Sequence, residues 1–226
     1  MKKLFAMMLS AAMLLSLTAC GGGKTETPAP EAAPEQSTTA PEAAPEAPAL
    51  TTVTEGKLTV ATSPDFAPYE FYAIGEDGKP QLAGFDVALA GYIADHLGLE
   101  LEIIPMDFDG VLMELASKKV DLGLAGLSPD PKRENAMDFS DIYYEGGQAF
   151  VTVTANKDKF TTMESINVSD ISVGAQTASI QMDLANEFSA DADIIALPKV
   201  TDIIAELMTG KLDGAYIETA VAESYK

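Results

Sequence analysis

The sequence predicts an α/β protein with mainly parallel sheets, because segments typical of strands alternate with segments typical of helices. Short runs of β-branched and aliphatic residues, such as 57–61 (KLTVA), have the composition of buried strands. Between such runs, apolar residues recur at every fourth position, which is the spacing of one face of a helix: Phe85, Leu89, Ile93 and Leu97.

The same two patterns place the other elements. Strands are predicted at 57–61, 101–104, 120–125, 171–173, 194–197 and 213–217. Helices are predicted at 85–97, 110–119, 178–188 and 201–209. Gly98 ends the first helix, and Lys118 and Lys119 suit the C-terminal dipole of the second. Ligands of open α/β sheets bind beyond the carboxyl ends of the strands, which directs attention to the loops that follow them: 63–69, 107–110, 125–133, 176–181 and 216–219.

The N-terminus has the pattern of an exported protein. Two lysines precede an apolar run, 4–17, that is too short for a comfortable membrane span. Small residues then lead to Cys20, the only cysteine. This arrangement resembles the lipobox of bacterial lipoproteins. It implies a signal peptide at 1–19, a lipid such as palmitate on Cys20, and attachment to the extracellular or periplasmic face of a cell membrane. An ordinary secretory signal or a short membrane anchor is the alternative.

Residues 20–54 are rich in Gly, Ala, Pro, Glu and Thr and contain no aromatic side chain. Such a segment cannot bury enough apolar surface to offset the entropy of ordering it. The prediction is a disordered tether between the membrane and a folded part that begins near residue 55. The remaining chain of roughly 170 residues is long enough for two small lobes or one larger domain.

Composition excludes several functional classes. The formal net charge of −21 argues against nucleic acid and against docking on an anionic membrane surface. With one His and one Cys, the chain has almost nothing from which to build a zinc site or a Cys/His nucleophile. Asp107 and Asp109 precede Gly110 without the remaining spacing of a calcium loop. We therefore predict no metal, no other cofactor and no catalytic residue.

Three residues could form an anion site. Arg133, the only arginine, lies just beyond a predicted strand, and guanidinium holds a carboxylate with two parallel hydrogen bonds. Ser128 and Ser179 lie where a strand gives way to a helix, where hydroxyl and backbone N–H donors gather. A surface salt bridge is the ordinary role of a lone Arg and stays open.

Other loop residues could recognise the rest of a zwitterion. Glu218 follows a predicted strand and could accept a cation. Phe66 and Phe108 follow strands within polar loops, where a ligand contact and a core position are both compatible with the sequence.

Four stretches resemble the solute-binding proteins of polar amino acid ABC transporters: 84–90 (GFDVALA), 106–151 with SPDPKR and FSDIYY inside it, 172–181 (SVGAQTASIQ) and 209–225. The resemblance covers essentially all of 56–226. It implies a type II periplasmic-binding-protein-like fold with lobe 1 at 55–147 and lobe 2 at 148–226. Members of that family continue beyond the equivalent of Lys226 and return to lobe 1, so we expect the fold to be incomplete at the C-terminus.

Carried over position by position, the resemblance implies an α-carboxylate site. Arg133 would clamp the carboxylate, helped by Ser128 and by the backbone near Gly126. Ser179 would add a contact from the second lobe.

The same resemblance implies roles for the other end of the ligand. Glu218, where the family usually has Asp, would accept the α-ammonium group. Phe66 and Phe108 would enclose the side chain. Ser63 stands where binders of basic amino acids often carry an acid, and Asp65, two residues on, could restore that charge.

The function implied is that of a monomeric, lipid-anchored receptor. It would bind a polar or charged amino acid between two lobes and deliver it to an ABC transporter permease. Two alternatives stay open. One is the ectodomain of an amino acid sensor, and the other is a dehydratase acting on cyclohexadienyl acids with the same fold.

Overall fold

Residues 50–226 are described by a computed structural model of the protein. The predicted signal peptide, Cys20 and residues 21–49 of the predicted tether lie outside the described residues. Within 50–226, none of the helices combines the length and the apolar character that a membrane crossing requires.

Within residues 50–226, ten strands and five α-helices follow one another. The strands are β1 (Lys57–Thr62), β2 (Asp65–Phe66), β3 (Glu70–Ile74), β4 (Pro80–Ala83), β5 (Glu100–Pro105), β6 (Leu122–Gly123), β7 (Gln148–Val151), β8 (Ser172–Gln176), β9 (Asp193–Leu197) and β10 (Gly214–Glu218). The helices are α1 (Phe85–Leu97), α2 (Phe108–Ala116), α3 (Ile180–Phe188), α4 (Val200–Thr209) and α5 (Thr219–Glu223).

Two largely parallel sheets dominate the fold. In the first, β1 lies between β5 and β6 and is parallel to both. In the second, the order is β7-β10-β8-β9, with β8 parallel to β9 and β10 and only β7 antiparallel. The central strands β1, β8 and β10 are buried over almost their whole length, which agrees with their mostly small and apolar residues. The first sheet and its helices enclose two neighbouring clusters: Leu58, Val60, Ala90, Ala94 and Leu124, and Ala61, Phe108, Val111, Val120 and Ala125.

A third, antiparallel sheet (β2-β3-β4) was not predicted. Its strands are short and carry exposed residues such as Tyr72 and Ile74, so they lack the apolar runs of the parallel strands. It brings Phe66 and Tyr69 into one apolar cluster with α4 side chains, including Val200 and Ile203. Phe66 and Tyr69 therefore pack directly on α4, more than 130 residues further along the chain.

Several predicted boundaries are wrong, and the strand predicted at 171–173 extends to Gln176. The second helix begins at Phe108 and ends at Ala116, and Lys118 takes a left-handed conformation (φ 55°), so both lysines lie beyond its end. The strand predicted at 120–125 pairs only over Leu122–Gly123. The third helix begins at Ile180 because Ala178 has φ 60° and the Ser179 hydroxyl caps the helix by accepting the Met182 N–H.

Asp121 joins β1 to the chain that precedes it. Its carboxylate accepts hydrogen bonds from the backbone N–H groups of Val53 (2.7 Å) and Thr59 (2.8 Å) and from the Thr59 hydroxyl (2.5 Å). Burial acts to raise the pKa of Asp121, but these hydrogen bonds outweigh it and lower the pKa below its ordinary value. The ionised form therefore stabilises the fold above the unfolded-state pKa, and this contribution is lost as pH falls through the folded-state pKa.

Replacing Asp121 with Asn should lower the free energy of unfolding by about 1–2 kcal/mol at pH 7, because two backbone N–H groups lose a charged acceptor. Urea unfolding at pH 7 and at about pH 3 measures this, and the difference from the parent should shrink at the lower pH. Asp95→Asn, on the exposed side of α1, is the control. Equal stability of Asp121→Asn and the parent at pH 7 would contradict the assignment.

Candidate functional site

A small cavity lies where the carboxyl ends of the two parallel sheets face each other. Its volume is about 20 Å³, which is room for about one water molecule. We call it the inner cavity. Six of the eight predicted ligand-binding residues line it: Phe66, Phe108, Gly126, Ser128, Arg133 and Glu218.

Arg133 reaches from the loop after β6 toward the start of α3. Its Nη2 donates to the carbonyl oxygen of Ala178 at 2.9 Å, and its guanidinium carbon lies 5.9 Å from the Phe108 ring centroid. Its Nε is 3.7 Å from the Asp130 carboxylate, and only 12% of the side chain is exposed. A guanidinium has five N–H donors, so these contacts leave donors for a carboxylate at the inner cavity.

Glu218 supplies the opposite charge. It is the last residue of β10, and its Oε2 accepts the backbone N–H of Val221 at 2.9 Å. Its Oε1 is buried and has no hydrogen-bond partner within residues 50–226. A buried carboxylate oxygen without a donor is costly, so Glu218 is suited to accept a hydrogen bond from a cationic group.

A larger cavity of about 440 Å³, the outer cavity, shares four lining residues with the inner one: Gly126, Ser128, Gln148 and Glu218. Tyr69 and the segment 139–146 form much of its remaining wall. Burial raises the pKa of Tyr69, and hydrogen bonding to Tyr144 and the Glu218 charge raise it further. The phenol therefore stays protonated at neutral pH. A volume of this size is typical of small-molecule sites.

Gly126 lines both cavities and lies close to the Phe66 ring. Its φ is +56°, and a Cβ at this position would lie 2.7 Å from Phe66 Cε1. Phe66 in turn stacks on Tyr69, with ring centroids 5.6 Å apart. Both the left-handed conformation and the lack of space favour glycine.

Ser63 and Ser179 do not line the inner cavity. Ser63 donates to Asp65 Oδ1 at 2.9 Å and lines a separate cavity of about 620 Å³. Ser179 is buried at the start of α3, where its hydroxyl donates to the Gln176 carbonyl oxygen at 2.7 Å and accepts the Met182 N–H at 3.2 Å. Its hydrogen-bonding capacity is therefore largely used by the helix.

Asp65 makes a long-range contact of its own. Its Oδ2 accepts the backbone N–H of Val200, the first residue of α4, at 2.5 Å. Burial raises the pKa of Asp65, while the bonds from Val200 and Ser63 act in the opposite direction. Asp65 thus holds β2 against the N-terminus of α4, and its charge is directed away from the inner cavity.

Three glutamines at the inner cavity were not among the predicted site residues: Gln148, Gln176 and Gln181. Gln181 Nε2 donates to Gln148 Oε1 at 2.8 Å, and Gln176 Nε2 donates to the Pro198 carbonyl oxygen at 3.1 Å. Gln176 and Gln181 lie in a loop that the strand pattern had singled out, whereas Gln148, at the start of β7, carries no such signal.

Within 50–226, no three His, Cys, Asp or Glu side chains converge as a metal site would require. His96 lies near the end of α1, stacked on Tyr92 with ring centroids 6.2 Å apart.

Residues 58–216 match the sequence profile of the bacterial extracellular solute-binding proteins, family 3. The chain belongs to this family. The resemblance stated from the sequence is therefore confirmed, and so is the predicted type II periplasmic-binding-protein fold, which its structural relatives share.

Two characterised relatives illustrate the range of the family. The arginine-binding extracellular protein ArtP of Bacillus subtilis is 31% identical over 228 residues, which cover 100% of this chain and 76% of ArtP. The cyclohexadienyl dehydratase of Pseudomonas aeruginosa is 27% identical over 158 residues, covering 70% of this chain and 58% of the dehydratase.

A solved structure shows the same fold. The amino acid ABC transporter substrate-binding protein AbpA of Streptococcus pneumoniae, bound to L-arginine, superposes with a TM-score of 0.72 at 36% identity. The match covers 75% of this chain and 70% of AbpA.

Replacing Gly126 with Ala should lower the free energy of unfolding by about 1–3 kcal/mol more than replacing Gly78 with Ala. Both glycines have positive φ, but a Cβ at Gly78 meets nothing within 4 Å, so the difference isolates the contact with Phe66. Urea unfolding of both variants measures it. Equal losses in the two variants would show that Phe66 moves away without cost.

Proposed function

We propose that this protein binds an amino acid at the inner and outer cavities and delivers it to the permease of an ABC transporter. The observation that carries the proposal is that two side chains of opposite charge line the inner cavity. Arg133 has spare N–H donors, and Glu218 has a buried oxygen without a donor. A free amino acid carries a carboxylate and an ammonium group that complement them.

The side chain of the ligand would lie between Phe66 and Phe108, which line the same cavity. Several relatives with 30% identity or more are named as arginine-binding proteins or were solved with bound arginine. L-Arginine is therefore the first candidate for the ligand. An ancestral arginine-binding protein of the same fold was also solved with glutamine. We propose an amino acid with a polar or charged side chain.

Binding would be coupled to the approach of the two parallel sheets. Hydrogen bonds and ion pairs join residues of the proposed first lobe to residues of the second: Arg133 to Ala178, Asp65 to Val200, Lys132 to Asp183 and Lys199 to Asp107. An inner cavity of about 20 Å³ must widen to admit an amino acid. A ligand that bridges Arg133 and Glu218 favours the closed arrangement because only there are both of its charges satisfied. The first crossing between the proposed lobes falls at 146–150.

Arg133→Ala should weaken amino acid binding by about 2–5 kcal/mol, because a buried carboxylate loses its cation. This corresponds to a rise in Kd of about thirtyfold or more. Titration calorimetry with L-arginine and the other proteinogenic amino acids measures it. Lys79→Ala is the control: Lys79 pairs with Asp77 at 3.7 Å on the exposed surface and lines neither cavity, so the binding free energy should change by at most about 1 kcal/mol. Unchanged affinity in Arg133→Ala would contradict the proposed site.

We infer ligand binding rather than catalysis, since charge recognition accounts for both Arg133 and Glu218. The dehydratase relative makes a direct test worthwhile. Incubation with prephenate or arogenate, followed by chromatography, should show no product. Turnover that disappears in Glu218→Gln would establish an enzyme instead.

We further propose that the receptor is anchored to the membrane through a lipid on Cys20. In a bacterial host, the parent should partition with the membrane fraction and incorporate labelled palmitate. Cys20→Ala should lose the label, and Ser10→Ala, within the proposed signal peptide, should behave as the parent. A Cys20→Ala protein that keeps the label would contradict the proposed attachment site.

A further inference from the structure

Asp86 is a buried carboxylate that contacts two walls of the proposed site. It lies in the first turn of α1 and is 1% exposed. Its Oδ2 accepts the backbone N–H of Gly126 at 2.9 Å, and its Oδ1 accepts the Tyr143 hydroxyl at 3.2 Å. Gly126 lines both cavities and Tyr143 lines the outer one. One side chain thus joins α1 to the loop that carries Ser128 and Arg133.

Glu70 lies beside Asp86 and is completely buried in β3. Neither of its carboxylate oxygens has a donor among residues 50–226, although it is within hydrogen-bonding reach of Asp86. Two carboxylates can share a hydrogen bond only when one carries a proton. The Asp86 and Asp65 carboxylates act on Glu70, and Asp86 and Glu70 act on Tyr143. Among residues 50–226, no cation contributes to the pKa shift of either group.

The pKa of Glu70 indicates which of the two carboxyl groups carries the proton. Burial, followed by the charge of Asp86, its hydrogen bond and the charge of Asp65, raises the pKa of Glu70 to about 11. Glu70 is therefore neutral at pH 7 and can donate to Asp86. Burial also raises the pKa of Tyr143, and the Asp86 charge raises it further. Asp86 thus accepts hydrogen bonds from Gly126 and Tyr143, and neutral Glu70 lies within reach to donate a third.

We propose that Asp86 is a positioning residue of the binding site: it holds the Gly126 N–H and so the Arg133 loop in place, with Glu70 as its hydrogen-bond donor. The proposal rests on the proposed function for its effect on affinity, whereas the contact between Asp86 and Gly126 is part of the fold. Gly126 has φ +56° and lies against the Phe66 ring, so the loop has little freedom while its N–H is held.

Asp86→Asn tests the role of the charge. Asn keeps the size of the side chain but offers a weaker acceptor to Gly126. We expect the affinity for L-arginine to fall about tenfold or more and the Gly126 amide proton resonance to move upfield. Asp95→Asn, exposed on the same helix, should leave both unchanged. A folded Asp86→Asn variant in which the Gly126 resonance does not move would overturn the proposal.

Glu70→Gln is the conservative counterpart. Its amide still donates to Asp86, so affinity should stay within about threefold of the parent and the Gly126 resonance should stay in place. A shift as large as that in Asp86→Asn would overturn the role of Glu70 as a neutral donor.

The pH dependence of stability distinguishes this role from simple packing. Glu70 is neutral when folded and ionised when unfolded between about pH 4.5 and pH 11, so folding takes up a proton and stability from this group falls as pH rises. The Glu70→Gln variant has no ionisable group at this position, so this decrease of stability with rising pH is absent from it. The folding equilibrium constant of the variant relative to the parent should increase with pH, approaching tenfold per pH unit between pH 6 and 8. A constant ratio would show that Glu70 is ionised.

If Asp86→Asn does not fold, amide hydrogen exchange at Gly126 in the parent protein tests whether Asp86 holds this N–H. The proposal requires protection of this amide, and exchange at the rate of an open loop would overturn it.

Failure of the proposed function would be recognised by a different result. If the parent binds no amino acid, the receptor assignment fails, while the Gly126 resonance and its exchange still decide whether Asp86 positions the loop.

Discussion

Hydrogen bonds from backbone N–H groups to carboxylates hold the loops of this protein in place. At several points an acidic side chain accepts an N–H from a segment far away in the chain: Asp65, Asp86, Asp121 and Asp213. Such charge-assisted bonds are directional and stronger than neutral ones. They fix loops that an apolar core cannot reach, because loop backbone must remain hydrogen-bonded. Among these four carboxylates, Asp86 holds Gly126, which lines both the inner and the outer cavity.

The distribution of charge supports the proposal that a strongly acidic chain binds a zwitterion. Within residues 50–226, most acidic side chains are exposed, whereas the inner cavity combines Arg133, the only arginine of the sequence, with the Glu218 oxygen that has no hydrogen-bond partner there. Arg133 follows the first sheet and Glu218 ends a strand of the second. In the proposed function, charge recognition is divided between the two sheets, and a ligand that satisfied both charges would stabilise their approach.

Much of the fold and part of the site could be predicted from the sequence. The helix with apolar residues at every fourth position was placed at its observed bounds, and six predicted residues line one cavity because strands of both sheets end there. Ser179 lies near the cavity but is engaged in capping α3. Ser63 pairs with Asp65, which in turn binds α4. Local sequence cannot reveal such competing partners, since they come from distant segments.

By itself, the sequence determined the alternation of strands and helices, the family, and the loops in which chemistry could reside. These properties depend on periodicity and residue type within a few positions of each other. Only the tertiary structure decided that Asp86 holds Gly126, that Glu70 is buried beside it, and that Gln148 lies at the cavity. Those outcomes depend on burial and on partners 16 to 40 residues away or more, because a side chain's protonation and hydrogen bonds are set by whatever the fold places next to it.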